Sequence, residues 1–492
     1  MATPLGPLVP APDGRTRTAR AERAPNRARD KRLASLDAIF DAAGLRDGMT
    51  ISFHHHYRNG DRLVNAVCEA AALRGLRGLT VAASSLFPVH APLVRLIEQG
   101  VIAHVISDYI KGPVADAVLA GALAGPVVLQ THGGRARALA SGELTVDLAF
   151  VGASLARADG AATGRAGAVP CGPIGYARVD AGHARHTAVL ADTITGAPLP
   201  LVCIPPDLVD WVAEFPRPGD PAGILSGATL PDTSPEADRI GALVAEVIAA
   251  AGALRAGMSV QTGAGGLSLN AVGHLGQRMA RDGLRGSFLS GGITGAHVAL
   301  LEAGLFDEIR DVQCFDGAAV ASSMRNPAHR MMSAADYASP LCPDAAVNAL
   351  DVVLLGAAEI DRAFNVNVTI GGDGRLVGGP GGHPDTAEGA ALVMITTRLV
   401  GGGHAKLVGE VAAITTPGAH VDLVVTDAGI AVNPARPALA ERLSRAGLPV
   451  RGFEDLRRLA EARATRSAAK ARPAERPRLL IESRHGGILA AI

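Results

Sequence analysis

Lysine is almost missing from this 492-residue chain: Lys31, Lys111, Lys406 and Lys470 are the only four. Arginine carries nearly all the positive charge, and the totals of 47 basic and 47 acidic residues cancel. Without net charge there is no global field to recruit nucleic acid or an anionic membrane. An anionic ligand must then be held by local arginines or helix N-termini. Aromatics are scarce at 3%, which excludes the stacking platform used for single-stranded nucleic acid. The five cysteines (Cys68, Cys171, Cys203, Cys314 and Cys342) are dispersed, with no C-x-x-C pair. That pattern predicts free thiols in a reducing cytoplasm rather than a disulfide framework. No apolar run reaches the ~18 residues of a membrane span. The longest candidate, from Ile240, carries Glu246 and predicts a buried helix. Residues 1–32 are rich in Ala, Pro and Arg, lack the apolar core of a signal peptide, and read as a disordered extension.

What is abundant points to a packed α/β protein: 48% hydrophobic residues, 59 glycines, and length for two or three domains. The chain also echoes itself. "LRDGMTISFHHHYRNGDRLVNAV" from Leu45 answers "LRAGMSVQTGAGGLSLNAV" from Leu254, and "GLRGLTVAASS" from Gly75 answers "GLRGSFLSGG" from Gly283. "LIEQGV" from Leu96 pairs with "LLEAGL" from Leu300, and "VDLAFVGAS" from Val146 with "LDVVLLGAA" from Leu350. "PPDLVDWVAE" from Pro205 matches "TPGAHVDLVVTD" from Thr416. The order is kept throughout, which predicts two tandem α/β domains with mostly parallel sheets and helices on both faces. We expect an extension over 1–32, domains at 33–235 and 236–465, and a tail at 466–492 with an edge hairpin around His485.

Within this frame, Asp61 is a good helix N-cap, followed by an apolar stripe at Leu63, Val64, Val67, Cys68 and Ala71. "HHHYRNG" therefore occupies the loop between a strand's carboxyl end and a helix, where open α/β sheets bind ligands. Three successive side chains in an extended loop cannot all face one ion, and no H-E-x-x-H accompanies them, so no metal site is expected. His54, His55, His56 and Arg58 read either as pocket donors for carboxylate or phosphate oxygens or as packing residues. "QTHGGRARALASG", with His132 and Arg135, reads either as a helix start with solvated arginines or as a carboxylate clamp. "SMRNPAHRMMSAADYASP", with Arg325, is a substrate loop or a plain turn. "GGDGRLVGGPGGHPDTAEGA" is denser in glycine than a turn requires. Gly379, Gly381 and Gly382 precede His383 and Asp385 and a helical run predicted through Leu392 and Val393. Exposed N–H groups there suit the oxyanion of a thioester under attack.

These stretches, with "AASSLFPVHAPL", "GGITG", "DVQCFD", "FNVNV" and "DAGIAVNPARPAL", resemble the α subunit of citrate lyase over about residues 40–450. The resemblance implies two tandem CoA-transferase-like (NagB/RpiA-like) domains. It also implies exchange of acetyl for citryl on a thioester, with release of acetate. The thioester sits on CoA or on the phosphopantetheine-type arm of an acyl-carrier γ subunit, and a β subunit cleaves citryl-thioester afterwards. No cofactor is expected to be held tightly by this chain itself, and an oligomeric complex is expected. The alternatives are citramalate or another hydroxy acid as substrate, or a non-catalytic citrate- or CoA-binding scaffold. There are departures from the family. Residues 1–32 and the closing "ESRHGGILAAI" fit it poorly, and Pro384 stands where the family places Cys.

In that reading Gly381, Gly382, His383 and Asp385 are the catalytic segment. Citrate is expected at His54, His55, His56, Arg58, His132, Arg135 and Arg325. The CoA or pantetheine arm is expected at Gly263, Gly265, Gly266, Gly291, Gly292 and Gly379. A citrate carboxylate, ionised at neutral pH, attacks without a general base. Related CoA-transferases use a glutamate nucleophile, but Gly291 falls where that residue would stand and Glu359 is a poor substitute. The expected intermediate is therefore a mixed anhydride, with no covalent enzyme adduct.

Overall fold

The computed structural model describes residues 28–225, 229–263, 265–467 and 477–492. Its first half contains strands β1 (Thr50–Phe53), β2 (Leu79–Ala83), β3 (Ile102–Ser107) and β4 (Val127–Leu129). β5 (Leu148–Arg157), β6 (His186–Thr195) and β7 (Trp211–Glu214) follow. The second half contains β8 (Val260–Thr262), β9 (Gly286–Ile293), β10 (Phe306–Cys314) and β11 (His329–Met331). It continues with β12 (Val352–Gly356), β13 (Leu392–Thr396), β14 (Leu423–Thr426) and β15 (Gly429–Val432).

The first sheet is ordered β4-β3-β2-β1-β5-β6-β7 and the second β11-β10-β9-β8-β12-β13-β14. Strand for strand the two orders are the same, and every neighbouring pair in both rows is parallel. β15 closes the second sheet antiparallel to β14. Parallel strands need helical crossovers that cover both faces, so β1 and β2 are buried along their whole length. The helix Leu63–Leu73 buries Leu63, Val64, Val67, Cys68 and Ala71, the predicted stripe. Each large apolar side chain among them contributes roughly 1.5–3 kcal/mol by leaving water. The N-cap is Arg62, one residue after the expected Asp61; Asp61 Oδ1 still accepts from Val64 N at 3.0 Å just ahead of the first turn.

The helix predicted to run from His383 through Val393 stops at Gly389, and Leu392–Thr396 is strand β13. The cause is local composition: the apolar run "LVMIT" is rich in branched residues and pairs between β12 and β14. The chain end returns to the first sheet. β16 (Leu479–Glu482) lies parallel to β4, and β17 (Ile488–Ala491) pairs antiparallel outside it.

One buried core runs from Val151 and Val189 in the first sheet to Val260, Leu289 and Val352 in the second, so the halves meet without a wet gap there. All five cysteines are unpaired. Among the described residues no helix is long and apolar enough to cross a membrane.

Candidate active site

The three adjacent histidines leave the end of β1 in three directions. His54 is fully buried, with Nε2 3.2 Å from Asp180 Oδ2. The same oxygen accepts from Arg135 Nη2 at 2.6 Å, and a second hydrogen bond of that guanidinium reaches Ala82 O at 3.1 Å. Burial pushes the Asp180 carboxyl up, but Arg135 and His54 outweigh it and hold it below the ordinary carboxylate range. His56 bonds Gly152 O at 2.9 Å, and burial lowers it to about 4, so it is a neutral packing residue. His55 alone of the three joins a cluster of rings. Its Nδ1 lies 2.6 Å from Ser84 Oγ, and its ring centroid is 4.8 Å from Tyr176 and 6.0 Å from His132. Burial, then the neighbouring His132, hold His55 well below its usual pKa.

This cluster lies where the two halves meet. Gln313, at the end of β10, donates from Nε2 to His55 O at 2.7 Å. Arg58 adopts a left-handed φ of 54°. Its guanidinium lies between the rings of Phe87 (5.2 Å) and Phe315 (4.5 Å), one from each half. Tyr337 places its ring 6.4 Å from His132, and its hydroxyl accepts from Gln261 Nε2 at 2.6 Å.

The glycine turn before helix His383–Gly389 packs on the first half. A Cβ on Gly379 would sit 2.3 Å from Asp108 O, so only glycine allows the approach. Gly381 takes φ +51, which side-chain-bearing residues rarely adopt. Its N–H donates to Asp108 O at 3.2 Å, and its carbonyl accepts from His132 N at 2.9 Å. His383 N donates to Pro380 O at 3.0 Å. The Gly382 N–H has no acceptor among the described residues, and Gly382 is partly exposed. That amide is free to face a ligand.

Other expected site residues have protein partners. His383 lies between Thr416 Oγ1 (2.7 Å) and Gly356 O (2.9 Å), so both ring nitrogens are engaged, and burial lowers it to about 4. Asp385 is wholly buried, and its Oδ2 accepts from Gly133 N at 2.8 Å, capping the helix His132–Ser141 of the opposite half. Arg325 is not brought to the cleft. It ends the helix Gly317–Arg325 with a solvent-exposed side chain that pairs with Glu302 at 3.2 Å. A Cβ on Gly291 would meet the Gln261 side chain at 2.7 Å and one on Gly292 the Phe315 ring at 2.2 Å, so both glycines serve packing. Gly266 is crowded by Leu230 and Asp232, whereas Gly263 and Gly265 have room around them. Glu359 is buried, accepting from Asn367 Nδ2 and Ala412 N at 2.9 Å each.

Asp385 also makes a pH prediction. Burial raises it from 3.8 to about 6. A raised folded-state carboxyl pKa favours the fold most when protonated. The contribution is complete below 3.8 and is lost as pH rises through about 6. Two units correspond to on the order of 3 kcal/mol. Asp385→Asn should therefore gain stability over the parent chain when urea midpoints at neutral pH are compared with those near pH 4. A difference that stays constant with pH would refute the assignment.

A family model for the citrate lyase alpha subunit matches residues 29–492. The chain belongs to the citrate lyase alpha subunit family. The citrate lyase alpha chain of Escherichia coli (strain K12) is 45% identical over 432 residues, covering 88% of this chain and 85% of that one. That of Haemophilus influenzae is 42% identical over 430 residues, covering 87% and 86%. A Streptococcus mutans chain described as an alpha subunit of citrate lyase, solved in complex with citrate, superposes with TM-score 0.89 at 38% identity. That match covers 94% of this chain and 91% of the other. A Pseudomonas malonate decarboxylase hetero-tetramer, solved with malonate, shares the fold at TM-score 0.66 and 17% identity, covering 89% of this chain and 92% of that one.

Three residues where the two halves meet are not singled out by the sequence motifs: Asp108, Tyr176 and Tyr337. Asp108 follows β3 directly and bonds His132 Nδ1 at 2.8 Å. Tyr176 lies 4.7 Å from the His132 ring. The available signal was scarcity. Of only four tyrosines in the chain, Tyr176 and Tyr337 flank His132, and the Tyr109 ring lies tilted 5.6 Å from Phe87.

Proposed function

We propose that the chain moves an acyl-carrier or CoA thioester from acetyl to citryl in the cleft between its two sheets. One observation supports this reading beyond family membership: among the described residues the site offers an uncommitted N–H and imidazoles, while each buried carboxylate there is already hydrogen-bonded through one oxygen. Asp108 is bonded to His132, Asp180 to Arg135, Asp385 to Gly133 and Glu359 to Asn367. A transferase without its own nucleophile must take one from the substrate, and an ionised citrate carboxylate is available at neutral pH.

Citrate attacks the acetyl carbonyl, the thiolate leaves, and a mixed acetyl–citryl anhydride results. The thiolate then attacks the citryl carbonyl and acetate departs. The protein's task is to hold a polyanion against a thioester and to stabilise each tetrahedral oxyanion, for which the uncommitted Gly382 N–H is a backbone donor. His55, Arg58 and His132 supply the polar wall. The arm belongs to CoA or to a phosphopantetheine-bearing carrier subunit, and a lyase subunit acts on the citryl product.

The test is citrate-dependent acetate release from acetyl-CoA by the purified chain. In a single turnover with carboxyl-¹⁸O citrate, one label should appear in acetate. Borohydride with acetyl-CoA should leave activity intact. Unlabelled first-turnover acetate, or loss of activity through reduction of a glutamyl thioester, would overturn direct exchange.

A further inference from the structure

Asp108 and His132 form a closed unit with the glycine turn. Asp108 is completely buried, and its Oδ2 lies 2.8 Å from His132 Nδ1. Its other oxygen, Oδ1, has no hydrogen-bond partner among the described residues. The Asp108 carbonyl accepts from Gly381 N, and the Gly381 carbonyl accepts from His132 N. Three bonds thus fix one imidazole against one turn. The remaining ring nitrogen, Nε2, faces the α-carbon of Gly381, where an added Cβ would stand 3.4 Å away. The His132 side chain is 14% exposed, with the Tyr176 and Tyr337 rings at 4.7 and 6.4 Å.

This geometry answers a need of the reaction. When a carboxylate adds to a thioester, the tetrahedral adduct can expel either group. The carboxylate, with conjugate acid pKa about 4, leaves more readily than a thiolate of pKa roughly 8.5. Unaided, the adduct returns to reactants. A proton delivered to sulfur reverses that preference.

We propose that His132 is a catalytic acid–base residue acting on the arm's sulfur through Nε2, and that Asp108 is the residue that positions it. The inference rests on the acyl-transfer reading above. In the first half-reaction the carboxylate oxygen forms its bond to the acetyl carbon. As the C–S bond breaks, its electron pair stays on sulfur and the Nε2 proton of imidazolium moves there, leaving neutral imidazole, thiol and mixed anhydride. In the second half-reaction Nε2 takes the proton back as sulfur bonds to the citryl carbon. The C–O bond to acetate then breaks with its electron pair on oxygen. The proton is returned, so none is consumed. Asp108 engages Nδ1 at 2.8 Å, which orients the ring and leaves Nε2 as the nitrogen that can exchange a proton with the arm.

The test compares two thioesters on the same full-length variant: acetyl-CoA, and the acetyl thioester of 4-nitrothiophenol, whose thiolate leaves without help. His132→Gln should lower kcat with acetyl-CoA and citrate by about 10²-fold or more. With the nitrothiophenyl ester its loss should be at most about a tenth as large. Asp108→Asn should show the same asymmetry at smaller size. Equal losses on both esters, in either variant, would mean a structural role and overturn the proposal. A parent chain that releases no citrate-dependent acetate from either ester removes the acyl-transfer reading, and this inference with it. A parent that transfers normally while both variants keep full activity removes only the inference.

Discussion

Replacing Gly382 with alanine should lower kcat for citrate-dependent acetate release by about 10²–10³-fold, the usual loss when one oxyanion donor is displaced. The backbone of Gly382 is unstrained, with φ −93° and ψ 5°, so the effect comes from the new methyl group. That Cβ would stand 2.4 Å from the Tyr337 hydroxyl, with two ring carbons at 3.2 Å. Tyr337 is 2% exposed and held by Gln261, so it cannot swing aside. The turn must move instead, and its N–H moves with it. Removing the obstructing hydroxyl in a Gly382→Ala, Tyr337→Phe double variant should recover part of the lost rate. A single alanine variant with full kcat would show that the amide does not act on the transition state.

Asp180→Ala should cost the fold about 3–5 kcal/mol, because it leaves the Arg135 guanidinium buried without its counter-charge. Arg135 is 2% exposed, and the Asp180 carboxylate is its bonded acidic partner at 2.6 Å. Urea unfolding is the measurement. Arg135→Met retains bulk while removing the charge, and it should shift the unfolding midpoint while leaving the citrate KM of the folded enzyme within about twofold. A large rise in citrate KM with unchanged unfolding would return Arg135 to the substrate.

The histidine run shows why the site was harder to read than the fold. Where "HHHYRNG" stands was legible, because an apolar strand precedes it and a capped apolar stripe follows it. Where each ring points was not. His54 answers to Asp180, His55 to Ser84 and Tyr176, and His56 to Gly152. None of these partners lies within 28 residues along the chain. Arg135 illustrates the same difficulty: two glycines and a histidine before it suggested a clamp, and the clamp exists, but it closes on Asp180. Arg325 sat beside a promising Asn-Pro loop, yet the helix it ends leaves the side chain in solvent. Asp108 is a single acidic residue after a strand, a pattern too common to mark.

Local and repeated features were therefore decided along the chain: the duplicated strand order, the covered parallel sheets, the apolar stripe of helix Leu63–Leu73, and the glycine-dense turn. These follow from nearest-neighbour sterics and hydrophobic period, which short stretches encode in full. The partners of the buried charges, the triangle of Asp108, His132 and Gly381, and the uncommitted amide at Gly382 came only with the assembled halves. A buried polar group takes whichever partner the packing brings to it, and that choice is made across the interface rather than along the chain.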